Sequence, residues 1–138
     1  MSGPHELFER MRSHWFGLAE GEAEGEGDLL ADDVVLEMPF APPGTPGRVQ
    51  GREEVLAFVT PRRAALPARL DGFRLLAVHE TADPEVIVVE YELTGVATRT
   101  GRRASLPFVG VLRARDGRVA LWREYQDTAG IARALGAG

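Results

Sequence analysis

Apolar residues recur at three- and four-residue intervals over Glu6–Ala19, where Leu7, Met11, His14, Trp15 and Leu18 share one face of an amphipathic helix. Pro4, just ahead of it, suits a helix start. The pattern then stops. Gly21–Asp28 is acidic and glycine-rich, with Ala23 its only apolar residue, and predicts a solvated link leading into a short helix around Asp28–Ala31. Val34–Phe40 is a β-branched run stopped by Pro39 and by Ala41-Pro42-Pro43-Gly44, so a short strand entering a loop that continues through Gly47 to Gly51. Helical spacing returns over Arg52–Thr60, with Val55, Leu56 and Val59 inward and Pro61 ending the helix.

Beyond Pro67 the period changes to that of strands. Phe73–Glu80, Val86–Ala97, Ala104–Arg115 and Arg118–Asp127 are four β-runs, separated by turn signals at Asp83-Pro84, Thr100-Gly101 and Asp116-Gly117. Such short links predict sequential antiparallel pairing. Gly130–Leu135 reads as a short terminal helix, and Asp127, followed by Thr128-Ala129-Gly130, is placed to cap it. Helices first and one antiparallel sheet afterwards make an α+β fold. Helices packed on one face of such a sheet can curl it into a cone whose mouth holds a ligand. Gly95 and Gly110 lie inside strands, where glycine marks a bulge or bend.

Composition narrows the picture. A chain of 138 residues is expected to form one domain over residues 1–138, and at this length it buries roughly two thirds of its unfolded surface without a staple. No cysteine is present, which removes disulfides, thiol catalysis and cysteine-type zinc sites. All 16 basic residues are arginine, so lysine Schiff-base chemistry is excluded as well. The net charge is −5 and the arginines are dispersed, against the concentrated cationic footprint that nucleic acids require. No apolar run approaches the roughly 18 residues that cross a bilayer, and Met1–Trp15 lacks a secretory pattern; a cytoplasmic protein is expected. Gly-x-Gly-x-x-Gly, P-loop and nucleophile-elbow motifs are absent, which predicts no nucleotide cofactor.

Candidate chemistry concentrates in Leu106–Asp127. Trp122, Glu124 and Gln126 share one face of the last strand; Leu121, Arg123 and Tyr125 share the other. A carboxylate beside a tryptophan, facing Leu106, Phe108 and Leu112, would have its pKa raised by desolvation and would suit general acid–base work; paired with Arg103, Arg113 or Arg123 it would be structural. Glu37 interrupts an apolar strand. Strict alternation puts Leu36, Met38 and Phe40 on one side and Glu37 on the other, whereas a bulge before Pro39 would turn Glu37 inward to form a carboxylate pair with Glu124. His14 and His79 are either partners of such a carboxylate or hydrogen-bonded structural histidines, and their spacing suggests no metal. Trp15, Met38, Phe40, Phe58, Tyr91, Leu106, Phe108 and Trp122 are the candidate pocket residues, with His14 or Tyr91 a possible second donor. Val111, Leu121 and Tyr125 on the outward face suit an isologous dimer contact.

Several local phrases resemble one superfamily. Ala31-Asp32-Asp33-Val34-Val35, the Pro39 to Pro43 loop, Gly51-Arg52-Glu53, Gly101-Arg102-Arg103, Leu106-Pro107 and Trp122-Arg123-Glu124-Tyr125-Gln126-Asp127 resemble NTF2-like proteins, most closely the SnoaL-like and limonene-epoxide-hydrolase-like branches. The resemblance implies a cone of helices on one strongly curved antiparallel sheet. It further implies cofactor-free acid–base chemistry (cyclisation, isomerisation or epoxide opening) on a small hydrophobic ring compound, or a non-catalytic binding or dimerisation module of the same fold. Glu124 matches the position of the water-activating carboxylate in the epoxide hydrolases. Their Arg-x-Asp falls on Leu93 and Gly95, and their water-holding asparagine on Met38, or on Glu37 with a one-residue slip. The ketosteroid-isomerase base also aligns near Met38, and its oxyanion-hole acid near Val109.

Overall fold

A computed structural model of the chain describes residues 2–15 and 26–136. Its elements are α1 (Pro4–Trp15), α2 (Glu26–Leu29), β1 (Leu30–Glu37), β2 (Arg48–Gln50), α3 (Arg52–Ala64), β3 (Ala68–Glu80), β4 (Val86–Ala97), β5 (Arg103–Arg115), β6 (Arg118–Gln126) and α4 (Thr128–Ala134). The expected far end of the first helix, with Leu18 and Ala19, and the link from Gly21 through residue 25 lie outside the described residues. Among the described residues, no helix is long and apolar enough to cross a membrane.

The strands form one curved, unclosed sheet in the order β2-β1-β6-β5-β4-β3. From β3 to β6 each strand pairs antiparallel with the next, as the short turns dictate. The expectation of a purely antiparallel sheet is corrected at β1, which runs parallel to β6. The chain between these two strands leaves through α3 and returns through three hairpin-linked strands, so their pairing is invisible to any local pattern. β1 also begins at Leu30, inside the span expected to be helical, because Leu30 already pairs with Val119. β2 was expected to be loop; its three residues gain strand geometry only by pairing with β1. α3 runs through Pro61 to Ala64 instead of ending there. Proline near a helix end forfeits one backbone hydrogen bond, and the next turn still closes, with Ala65 N–H donating to the Pro61 carbonyl at 3.0 Å.

β3 is bulged twice. Its register against β4 slips at two places, leaving Asp71 and Leu76 as extra residues. Each bulge sharpens the local twist and bends the strand. Gly95 pairs with Leu70 beside the first bulge, but Gly110 sits at an unbroken register, so its bulge reading is corrected. A Cβ at Gly110 would lie 2.0 Å from Trp122 Cη2; the glycine clears space for that indole.

Helix α1 lays Leu7, Phe8, Met11 and Trp15 on the concave face. Phe8 anchors the core: its ring lies 5.9 Å from Trp122, 6.0 Å from Tyr91 and 6.1 Å from Phe73. Arg52 ties α3 to β1, donating through Nε (3.1 Å) and Nη2 (2.9 Å) to the Leu30 carbonyl and pairing with Asp32 at 2.6 Å. At the other end of the sheet, Asp127 caps α4 by accepting from Gly130 N–H at 2.9 Å.

Candidate functional site

The concave face encloses a cavity of about 410 Å³ between the sheet, α3, α4 and the end of α1. Its walls are mostly apolar. Of the residues singled out from the sequence, Trp15, Met38, Phe58, Leu106, Phe108, Trp122 and Glu124 line it. Strand alternation explains the selection: Trp122, Glu124 and Gln126 all project inward from β6, and Leu36 and Met38 project inward from β1 and the residue after it.

Glu124 is the carboxyl group of this cavity. It is only partly accessible and forms part of the cavity wall. Tyr91 Oη donates to Glu124 Oε1 at 2.5 Å, and Gln126 Nε2 donates to Oε2 at 2.6 Å. Tyr91 belongs to β4 and reaches over β5 to Glu124 on β6, its ring stacked on Phe108 (centroids 5.4 Å apart, planes 9° from parallel) and on Phe73 (5.6 Å, 20°). Desolvation pushes the Glu124 carboxyl above its ordinary pKa; hydrogen bonds from Tyr91, Gln126 and Trp122 pull the other way without cancelling it. Burial, and then the neighbouring carboxylate, hold the Tyr91 phenol well above its ordinary value, so it remains a donor. The arginines that would have made Glu124 structural are engaged elsewhere. Arg103 pairs with Asp71 (2.8 Å), Arg113 with Asp83 (3.0 Å) and Arg123 with Glu37 (2.9 Å).

Four of the expected site residues are placed differently. Glu37 faces the convex side: it is the register partner of Arg123 on β6, accepts from Arg123 Nε at 2.9 Å and lies 3.7 Å from Arg48 Nε. The register of β1 on β6 shifts between Leu30 and Val35, but alternation holds from Val34 to Glu37, so no bulge before Pro39 turns Glu37 inward and no Glu37/Glu124 pair forms. Phe40 lies in the turn after β1, 60% exposed, with its ring edge-on to Tyr125 across 5.7 Å, because the strand ends at Glu37 before alternation can bring it inward. His14 is half-buried on α1 and contributes its backbone carbonyl to Arg63 Nη1 (2.9 Å) rather than a wall of the cavity. Tyr91 is fully buried behind the wall, and acts on Glu124 instead of lining the space. His79 pairs with Glu90 at 2.5 Å on the convex side.

The structure adds residues that sequence spacing did not single out. Gln126 completes the hold on Glu124. Arg62 and Arg63 from the end of α3 and Arg102 from the β4–β5 turn also line the cavity. An unbroken run of inward positions on β6 signals the first; nothing local signals the convergence of a helix end and a hairpin turn. Leu93 and Gly95, where the epoxide-hydrolase resemblance would put an arginine and an acid, line the cavity as apolar positions. Trp15 Nε1 is buried without a hydrogen-bond partner among the described residues. Among the described residues, no group of three His, Asp or Glu side chains comes together to hold a metal.

A bent sheet closed by helices around an apolar cavity is the NTF2-like, ketosteroid-isomerase-like architecture, seen in solved structures of the same shape. Within that fold, residues 10–122 match the SnoaL-like domain, and the chain belongs to the SnoaL-like family. An uncharacterised PhzA/B-like protein of Pseudomonas aeruginosa is 37% identical over 119 residues, covering 86% of this chain and 82% of that protein. Among solved structures, a protein described as a candidate isomerase from Bacillus subtilis superposes with a TM-score of 0.82 at 23% identity, covering 100% of this chain and 98% of its own. A candidate SnoaL-like polyketide cyclase from Jannaschia superposes with a TM-score of 0.75 at 20% identity, covering 98% and 92%.

Proposed function

We propose that this protein is a small-molecule enzyme performing cofactor-free acid–base chemistry on a hydrophobic ring compound, with Glu124 as the group that moves the proton. The observation that carries this reading is a desolvated carboxyl at the wall of an apolar cavity, held by neutral donors and by no cation among the described residues. Desolvation brings its protonation equilibrium toward neutral pH, where one group can take a proton and return it. Tyr91 and Gln126 fix the carboxyl in position. Trp15, Met38, Phe108 and Trp122 would shape the space and keep it dry, which strengthens each polar contact inside. Double-bond isomerisation or ring closure through a carbon acid needs only this one proton carrier. Epoxide opening is less well supplied, since Leu93 and Gly95 stand where that chemistry would use an arginine and an acid.

The test uses cyclic ketones with exchangeable α-protons, incubated with the protein in D2O and followed by NMR. Deuterium incorporation above the solvent rate, lost in Glu124→Gln, is the expected result. Incorporation unchanged by that substitution would sink the assignment of Glu124.

A binding module without turnover is the second reading. It is favoured by one observation: both Glu124 oxygens already accept a hydrogen bond from the protein. Native mass spectrometry separates the two, since a binder retains its ligand unaltered while an enzyme releases a changed product. For either reading we place the protein in the cytoplasm as a homodimer. Its convex face carries Val111, Leu121 and Tyr125 together with exposed Phe40 (60%) and Leu76 (45%). Sedimentation would show a single species of twice the chain mass.

A further inference from the structure

We propose that the cavity takes an amphiphilic anion: a compact apolar ring system bearing one carboxylate, its carboxylate held at the rim by Arg62 and Arg102 and its apolar body directed toward Glu124. This names the ligand class for the cavity described above and rests on that reading. The chain holds 21 acidic residues against 16 arginines, yet among the described residues lining the cavity Glu124 is the single acid beside three arginines. That local inversion of the overall charge is selective. Arg103, the neighbour of Arg102, is held by both oxygens of Asp71 (2.8 and 3.1 Å), and Arg52, Arg113 and Arg115 are likewise paired with aspartates. Arg62 and Arg102 have no carboxylate partner among the described residues. Arg63, the third arginine, spends Nη1 on the His14 carbonyl at 2.9 Å.

Both rim cations are positioned by their own elements. The Arg62 guanidinium lies 3.8 Å from the centroid of the Phe58 ring, itself part of the cavity wall, and Nη1 donates to the Phe58 carbonyl at 3.3 Å. These contacts leave further N–H donors of the planar fork unspent. Arg102 comes from the β4–β5 turn, which adjoins the end of α3 where Thr98 N–H donates to the Pro67 carbonyl at 3.1 Å. Its backbone is fixed by Ala97 N–H donating to its carbonyl (2.9 Å) and by its own N–H donating to Thr100 Oγ1 (3.2 Å). Guanidinium groups match the planar fork of a carboxylate. An anion placed deeper would meet the Glu124 carboxylate and the apolar wall, so the rim is where it belongs. The volume of about 410 Å³ lies toward the small end of small-molecule sites, which limits the apolar body to a few rings.

The chain has two tryptophans, Trp15 and Trp122, and both line the cavity, so intrinsic emission reports its occupancy directly. Titration with adamantane-1-carboxylate and with its neutral carboxamide compares one apolar cage with and without charge. The carboxylate is expected to bind roughly 5- to 10-fold tighter at low ionic strength, with the preference shrinking as salt rises. The double variant Arg62→Gln/Arg102→Gln should bind the carboxylate and the carboxamide with equal affinity. Arg62→Lys/Arg102→Lys should keep most of the preference. Equal binding by the unaltered protein, or a preference that survives the double glutamine variant, overturns the proposal and leaves the cavity reading standing. If neither ligand perturbs the emission, the cavity reading falls and this inference with it.

Discussion

Glu124 and Glu37 are the same chemical group, separated by one step of the sheet's pleat. Glu37 on β1 is the register partner of Arg123, and Arg123 is the chain neighbour of Glu124 on β6. On the convex face Glu37 meets two guanidinium groups and stays partly open to solvent. On the concave face Glu124 meets a phenol and an amide beside an apolar space. The difference lies in the partner offered once water is removed. Neutral donors fix the Glu124 carboxyl without supplying a charge, and desolvation then tilts it toward the protonated form. One strand thus turns an ion pair outward and a potential proton carrier inward, through alternation alone.

Turnover should split the two residues most sharply. Glu124→Gln is expected to lower α-proton exchange by roughly 10²- to 10⁴-fold, the usual worth of a positioned acid or base, and Glu37→Gln to leave it within about twofold. NMR-monitored deuterium incorporation on both variants measures this. Comparable losses in the two would erase the functional distinction between the faces.

The faces also differ in how closely their shape is specified. Gly110→Ala places a methyl group 2.0 Å from Cη2 of the Trp122 indole, next to Glu124, so the indole must shift. Overpacking of that kind costs about 1–3 kcal/mol, and the indole's rigidity puts this site at the upper end. Val111→Ala, one residue along and facing outward, should cost less than about 1 kcal/mol. Urea denaturation of both variants decides whether the concave wall is the more tightly determined one.

Tyr91→Phe probes the hold on Glu124 itself. Losing the hydroxyl leaves a buried carboxyl oxygen without its donor, which should cost about 1–2 kcal/mol in the same denaturation assay. That hydrogen bond lowers the Glu124 pKa, so its removal should raise the pKa further and move the acidic limb of a base-dependent pH–rate profile upward. A lowered activity with an unmoved limb would mean that Tyr91 supports the wall without tuning the carboxyl.

Much of this arrangement was legible in the chain. Alternation over Trp122–Gln126 separated the two faces of β6, Asp116-Gly117 marked the hairpin, with Asp116 at φ 53° and Gly117 at φ 75°, and Asp127 marked the helix cap. Local phrases along most of the chain pointed to the family that residues 10–122 match. What stayed hidden depends on distant partners. β2 is a strand only because β1 lies beside it, and the parallel β1–β6 pairing joins segments separated by most of the chain. Phe8 fell outside the face assigned to Leu7, Met11, His14, Trp15 and Leu18, although it meets three rings of the core. Glu37 remained open because alternation and a bulge predict opposite faces, and only the register with Arg123 decides between them. Arg62 and Arg102 lie 40 positions apart, on a helix and a turn, and nothing in a dispersed set of arginines links them.

The smallest effects fall in stability, and there the two carboxylates answer to different variables. The folded pKa of Glu124 is raised above that of the unfolded chain, where a glutamate titrates near about 4.3. Between those two values the native state binds more protons than the unfolded state, so stability falls as pH rises. The contribution is complete below the unfolded pKa and lost once pH has passed the folded one. Glu124→Gln removes this dependence. Its melting temperature should match or fall below that of the unaltered protein near pH 4, and gain on it steadily as pH rises toward neutrality. Glu37→Gln should cost at most about 1 kcal/mol, a deficit that shrinks in high salt because partly exposed ion pairs are screened. Thermal melts across pH and salt for both variants test the pairing. A Glu124→Gln difference that stays flat with pH would mean that the inner carboxyl is not desolvated in the folded protein, and that the two faces treat their glutamates alike.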